Sequence, residues 1–240
     1  MRRRSALCLL ALAGTMLVAP AAGAADEQPR FVKDAEIVPS QVLPPAPADD
    51  SAAARAELDE LRRIAAATDA DTFARADYDF LHEDGTMFQV AIAPGFDLSK
   101  LPATARLLGE VRTDEAYFAA KTKNYFKRSR PWVLDPSLKT CSRDEKPQSS
   151  YPSGHATMAF AMGTVLSQAL PELSAQIMAR AKAYSEERLV CGMHFRADIE
   201  GGQTLGTAVA LLMLRDPAFR ADLDAARAEL AAAHLTGAAN

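Results

Sequence analysis

Three stretches of this 240-residue chain hold nearly all of its chemically informative polar residues. The first is Lys123-Asn-Tyr-Phe-Lys-Arg-Ser-Arg130-Pro131. A seven-residue step is close to two helical turns, so Lys123 and Arg130 can project from one helix face, while Pro131 biases Arg130 toward extended backbone and ends the helix there. Two cations would then line the mouth of one cavity. Taken alone, the run, which also carries Lys121, Lys127 and Arg128, reads more simply as a solvated basic face. The second stretch, Ser149-Ser-Tyr-Pro-Ser153-Gly154-His155, runs into an apolar segment. Pro152 and Gly154 make a turn, and Ser153 or Gly154 then opens a helix whose unpaired N–H groups attract anions. A histidine just inside such a helix can donate to an oxyanion or protonate a leaving group; alone, the segment reads as well as a plain cap with a surface histidine.

The third stretch is Arg188-Leu-Val-Cys-Gly-Met-His194-Phe-Arg-Ala-Asp198. If His194 opens a helix, Asp198 lies one turn on and can hold the imidazole Nδ1–H, leaving Nε2 as a nucleophile. Arg188 would approach from the end of the preceding helix. By itself this is equally a core histidine satisfied by a carboxylate. Together the three stretches supply positioned cations, backbone donors, a nucleophile and a proton donor, the parts that in-line phosphoryl transfer requires, with no metal signature needed.

These residues resemble the type 2 phosphatidic acid phosphatase (PAP2) superfamily pattern, K-x6-R-P, P-S-G-H and S-R-x5-H-x3-D, in all three spacings. More narrowly, Tyr151-Pro-Ser-Gly-His155 and Arg188 to His194 resemble the bacterial class A non-specific acid phosphatases. The resemblance implies an exported, metal-independent helical enzyme that hydrolyses small phosphomonoesters, needs no cofactor, often assembles as a homo-oligomer, and has phosphotransfer to other alcohols as a side activity. It implies His194 as the nucleophile that becomes a phosphohistidine and Asp198 as its orienting partner. His155 would be the general acid and then the base for water, with Lys123, Arg130, Ser153, Gly154 and Arg188 on the phosphate oxygens. One departure is Glu187, where the family pattern has Ser; a carboxylate facing the pocket there would pair with Arg188 or weaken oxyanion binding. A vanadate-dependent haloperoxidase of the same superfamily is the rival enzyme. A non-catalytic phosphate-binding protein is the rival outside enzymes, although pure capture needs no His155, His194 and Asp198 together.

The elements that must position these residues read as helices. Ala-rich sequence with Leu58, Leu61 and Ile64 at helical spacing begins near Asp50-Ser51, and further helical patterns fall at about 71–78, 86–93, 102–127, 154–169, 171–189, 197–214 and 217–234. Pro102, Pro171 and Pro217 stand where first-turn prolines belong. Alternating strand patterns are hard to find, so the fold class is all-α, one helical bundle over 51–236. The pocket rim is expected to draw on the 86–93 region and the 134–148 loop. The acidic residues Asp69, Asp71, Asp77 and Asp79 lack the glycine and terminal glutamate of a calcium loop and read as a solvated helix face.

Ahead of the bundle, residues 25–50 carry five prolines, which disfavour helix and strand, and read as an extended arm. Residues 1–24 combine Arg2 to Arg4, a short apolar run and Ala22-Gly-Ala24, the order of a secretory signal peptide. Export to the periplasm makes Cys141 and Cys191 a disulfide candidate, closing a loop of about 50 residues and contributing roughly 2–4 kcal/mol. Formal net charge is −4, and without the three leader arginines 24 basic residues face 31 acidic ones, or −7. That balance argues against nucleic acid as partner, which needs clustered Lys and Arg. No later segment is an uninterrupted apolar span, which disfavours a membrane-embedded lipid phosphatase.

Overall fold

The computed structural model describes residues 28–236, so the leader at 1–24 lies outside the described residues. Among the described residues there are helices and no strand, as the all-α reading expects. In chain order they are α1 (Pro39–Val42), α2 (Ala52–Ala67), α3 (Ala70–Leu81), α4 (Gln89–Ile92), α5 (Pro102–Phe126), α6 (Pro131–Leu134), α7 (Gly154–Ala169), α8 (Ser174–Val190), α9 (Arg196–Met213) and α10 (Pro217–Ala232). Their starts follow local chemistry. Ser51, Asp69 and Asp216 accept backbone N–H groups of the first turns of α2, α3 and α10, and Pro102, Pro131 and Pro217 occupy first-turn positions whose missing N–H costs nothing. Pro171 opens a 3-10 turn, Pro171–Leu173, and α8 follows it.

Helix α7 is the centre of the bundle, buried along nearly its whole length and packed against α5, α8, α9 and α10. Its closest neighbour is α9, where Gly202 and Gly206 both let the two backbones approach, Gly206 most closely. A Cβ built on Gly206 would lie 2.1 Å from the Thr157 carbonyl oxygen and 2.9 Å from the Ala161 nitrogen, both backbone atoms that cannot swing aside. Gly206→Ala is therefore expected to cost about 3 kcal/mol or more by forcing α9 off α7, lowering Tm by roughly 6–12 °C in a domain of this size. A control is Gly109→Ala on α5, where nothing lies within 4 Å; it is expected to stabilise by about 0.4–1 kcal/mol. A thermal melt in which both variants match the wild type would refute this account of the α7–α9 contact.

Residues 28–50 differ from a free arm. Val32, Ile37 and Leu43 are buried in the main core, and Pro39–Val42 forms a single helical turn because Pro39 opens it. The backbone N–H groups of Arg30, Phe31 and Val32 all donate to the buried Asp114 carboxylate of α5, at 2.6–2.9 Å. The Tyr151 hydroxyl donates to the Pro44 carbonyl at 2.9 Å, tying the arm to the segment that leads into α7.

Cys141 and Cys191 are bonded. Gly192 follows with φ +60°, a conformation that costs a side-chain-bearing residue, and a Cβ there would meet the Lys139 carbonyl oxygen at 2.6 Å. The disulfide and this turn fasten the end of α8 to the 135–150 loop immediately before His194.

Candidate active site

A cavity of about 100 Å³ opens where the end of α3, α5, the start of α7, the end of α8 and the turn before α9 meet. Lys123, Arg130, Gly154, His155, Arg188 and His194 all line it, so residues from the three separated stretches come together. Two of the expected local routes differ. Helix α5 ends at Phe126 with Lys127 in the left-handed region, so Arg130 lies beyond the helix in extended backbone rather than two turns along it. His194 likewise precedes α9 instead of opening it. Asp198 stands in the first turn of α9 and reaches back to accept the Phe195 N–H at 2.8 Å, which aims the carboxylate at the loop carrying His194.

His194 is 2% exposed. Its Nε2 lies 3.0 Å from Arg130 Nη1, and a guanidinium only donates, so Nε2 must be the acceptor and the ring proton sits on Nδ1. Nδ1 faces Asp198 Oδ2 at 3.5 Å, long for a hydrogen bond. Burial, with the Arg130 and Lys123 charges added, drives the His194 pKa well below the ordinary imidazole value despite Asp198. The ring is therefore neutral, with the Nε2 lone pair directed at Arg130 on the cavity wall. Asp198 also receives Arg128 Nη1 at 2.7 Å and the Ser150 hydroxyl at 2.5 Å. Burial works to raise its pKa, but His194, Arg128 and Ser150 outweigh it and hold the carboxyl below its usual range.

Arg188 is fully buried. Its Nη2 donates to the Ala76 carbonyl at 2.8 Å, whereas Nε and Nη1 have no protein partner. Arg130 Nη1 also donates to the Met193 carbonyl at 3.0 Å, and its Nη2 reaches Ser149 Oγ at 3.1 Å and Glu145 at 3.3 Å. Lys123 Nζ donates to the Ser149 carbonyl at 2.6 Å; burial first, and then Arg130, lowers its pKa to about 7. At this pKa a bound anion would hold the lysine in its charged form.

His155 sits in the first turn of α7 between the Phe80 and Tyr184 rings, stacked on both. Its pKa falls to about 4, chiefly through burial and also through the Arg188 and Arg112 charges, opposed by Glu83 and the Phe80 carbonyl. Gly154 lines the cavity, but Ser153 does not. Ser153 is the buried cap of α7, its hydroxyl accepting the Ala156 N–H and its own N–H donating to the Asp198 carbonyl at 2.9 Å. It touches the site through the helix terminus and through Asp198.

Glu187 faces elsewhere. It lines a separate cleft of about 580 Å³ with Asp79 and Arg180, where burial and the neighbouring Asp79 push its pKa up to about 8. The expected conflict with Arg188 does not arise, because adjacent helical residues point about 100° apart. Thr86, Met87, Gln89 and Val90 line that same cleft rather than the cavity rim, whereas Glu145 of the 134–148 loop does reach the rim. Asp79 is also buried, paired with Arg180, and is no solvated helix face.

Several residues escaped sequence reasoning. Arg128, set aside within a basic run, is 4% exposed, pairs with Asp198 and Glu57, and lies 4.2 Å over the Phe195 ring. Its position beside Arg130 in the first stretch was the available signal. Glu83 and Phe80 line the cavity from beyond α3 and its end, and nothing in their sequence surroundings marks them. Among the described residues no group of three or more His, Cys, Asp or Glu side chains is placed to hold a metal ion.

Comparison with known proteins places the chain in a family. Residues 108–222 match the family model described as the PAP2 superfamily. A non-specific acid phosphatase of Salmonella typhi is 30% identical over 224 residues, covering 90% of this chain and 89% of that protein. An acid phosphatase of Zymomonas mobilis is 30% identical over 156 residues, 62% of this chain and 59% of its own length. In fold, LpxE of Aquifex aeolicus superposes with a TM-score of 0.53 at 23% identity, over 66% of this chain and 94% of that one. A bacterial vanadium-dependent iodoperoxidase superposes at 0.56 with 18% identity, over 74% of this chain and 53% of its own. With a relative at this identity aligned over nine-tenths of its length, the chain belongs to the PAP2 superfamily and, within it, to the family of the non-specific acid phosphatases.

Proposed function

We propose that this protein is an exported acid phosphatase that hydrolyses small phosphomonoesters of broad type through a phosphohistidine at His194. The observation that carries the reading is a neutral, buried imidazole, its Nε2 lone pair fixed by Arg130, sharing one small cavity with His155 and with the unpartnered Nε and Nη1 of Arg188. Nε2 attacks phosphorus as the bond to the leaving oxygen breaks, and His155 gives that oxygen its proton. Water then gives a proton to His155 and attacks the phosphohistidine; the P–N bond breaks and inorganic phosphate leaves. Lys123, Arg130, Arg188 and the α7 terminus at Gly154, capped by Ser153, steady the non-bridging oxygens. Asp198 keeps the proton on Nδ1. The scheme uses no metal and no cofactor.

The acid range follows from His155. Its proton must be present when the leaving group departs, so turnover falls as pH rises through its pKa in the complex, which a bound phosphoryl dianion lifts above the value set by burial. The acid limb comes only when His194 protonates, well below the ordinary range. The disulfide and the leader pattern fit a periplasmic site of action.

The test is an activity scan over phosphomonoesters, a diester and a lipid phosphate, with and without a chelator. Monoester turnover indifferent to chelation and inhibited by vanadate is expected. Loss of activity on chelation, or phosphate binding without ester cleavage anywhere from about pH 4 to 8, would overturn the scheme. Halide oxidation by peroxide after vanadate loading would move the protein to the haloperoxidase reading.

A further inference from the structure

We propose that Glu83 is the positioning residue for His155, fixing the orientation and charge of its imidazole so that it can deliver a proton to the leaving group. This rests on the assignment of His155 as proton donor above.

The geometry begins with the ring faces. Phe80 and Tyr184 lie in offset stacks on the imidazole, with centroids 5.5 and 5.8 Å away and planes within 12° and 26°, and its polar contacts are made at the ring edge. One edge nitrogen, Nε2, faces the Phe80 carbonyl at 3.2 Å. The other, Nδ1, faces Glu83 Oε1 at 3.6 Å. Both neighbours are acceptors, so these two contacts favour a ring that carries two N–H groups, the acid form, against the burial and guanidinium charges that lower its pKa.

Glu83 is itself held in place. Its Oε2 lies 3.2 Å from Arg112 Nη2, and Arg112 Nη1 is paired with Glu115, a fully buried carboxylate of the same helix α5. Burial works to raise the Glu83 pKa, but His155, Arg112, Lys123 and Arg188 outweigh it and keep the group ionised.

The other charges around His155 pull both ways. Burial opposes an imidazolium most, followed by the Arg188 guanidinium of α8 and the Arg112 guanidinium of α5, while Lys123 of α5 lines the same cavity. Tyr184 is neutral, its phenol pKa raised by burial. Across the cavity, Arg130 is cationic and His194 neutral, and the Glu145 carboxylate is engaged by Arg130. Glu115 is paired with Arg112, and burial pushes its pKa up to about 8. That leaves Glu83 as the carboxylate that faces the ring edge. In the leaving-group step the N–H bond of His155 breaks and the O–H bond of the alcohol forms; Glu83 neither gains nor loses a proton.

The discriminating measurement is the pH profile of kcat for Glu83→Gln on two substrates, p-nitrophenyl phosphate and a simple alkyl phosphate. Removing the carboxylate makes the imidazolium less stable, so the alkaline limb should move to lower pH by about one unit. Near neutrality the alkyl phosphate, whose leaving group needs the proton, should lose about tenfold in kcat and the nitrophenyl ester less than threefold. Inhibition by inorganic phosphate should stay unchanged or tighten, since a negative charge has left the cavity. Glu83→Asp should recover part of the limb.

An alkaline limb unmoved in a normally folded Glu83→Gln protein would overturn the proposal, as would equal losses on both substrates with weakened phosphate inhibition. The two readings fail differently. Wild-type enzyme without monoester turnover sinks the phosphatase assignment; an active wild type whose profile answers to His155→Ala but not to Glu83→Gln sinks only the role of Glu83.

Discussion

Replacing His194 by alanine is expected to lower kcat for p-nitrophenyl phosphate by roughly 10⁴-fold or more, the scale seen when a covalent nucleophile is removed. The helical circular dichroism signal should stay intact, and the reason lies in its neighbours. Asp198, which would otherwise be left as a buried unpaired carboxylate, keeps Arg128, Ser150 and the Phe195 N–H. Arg130 likewise keeps the Met193 carbonyl and Ser149. Deleting the ring therefore removes the attacking atom without orphaning a charge, the circumstance that makes most buried-histidine losses destabilising. An alkaline quench of the wild type during turnover should trap phosphate on protein, and the alanine variant should trap none. Turnover within tenfold of the wild type would take His194 out of the nucleophile's role.

The fold was legible where local signals are strong. The cap near Ser51 and the first-turn prolines Pro102 and Pro217 placed helix starts to within a few residues, because both depend on backbone groups that only the helix terminus leaves unpaired. Periodicity is a weaker guide inside the bundle. Helix α7 is apolar on nearly every side, so its sequence names it as central without saying which face meets which neighbour. The α7–α9 contact depends on Gly206, whose role appears only once the partner backbone is in place. The proline-rich arm shows the converse limit: its prolines do exclude long elements, yet Val32, Ile37 and Leu43 are three spaced apolar residues that find a core through tertiary contact.

Within the candidate site, the residues singled out by type and spacing meet in one cavity, but by partly different local paths. Lys123 and Arg130 meet not along one helix face but because α5 stops and the chain turns back, with the Arg130 N–H donating to the Pro147 carbonyl at 2.8 Å. Glu187 seemed a threat to Arg188 only because sequence adjacency hides helical direction. Glu83 and Arg128 matter through partners 72 and 70 positions away, His155 and Asp198, and no short-range pattern encodes a pairing of that kind.

Arg188→Lys carries the second large expected effect. The native guanidinium spends one nitrogen on the Ala76 carbonyl and leaves Nε and Nη1 unpaired in a cavity whose other cations already have protein partners. Lysine keeps the charge but carries a single nitrogen, so it cannot hold the Ala76 carbonyl and also offer the separate donors that Nε and Nη1 keep free for phosphoryl oxygens. A fall in kcat/KM of about 10²- to 10³-fold is expected, the scale of one oxyanion donor, or roughly 2.7–4 kcal/mol. Inhibition by phosphate and vanadate should weaken in parallel. Unlike the loss at Glu83, this one should be the same for p-nitrophenyl and alkyl phosphates, since Arg188 acts on oxygens common to every substrate and not on the leaving group. The contrast matters, because burial lets either substitution disturb the cavity. A general disturbance would slow both variants alike on both substrates, whereas distinct roles predict opposite dependence on the leaving group. A lysine variant within threefold of the wild type, with phosphate inhibition unaltered, would mean that the phosphoryl group binds away from this guanidinium.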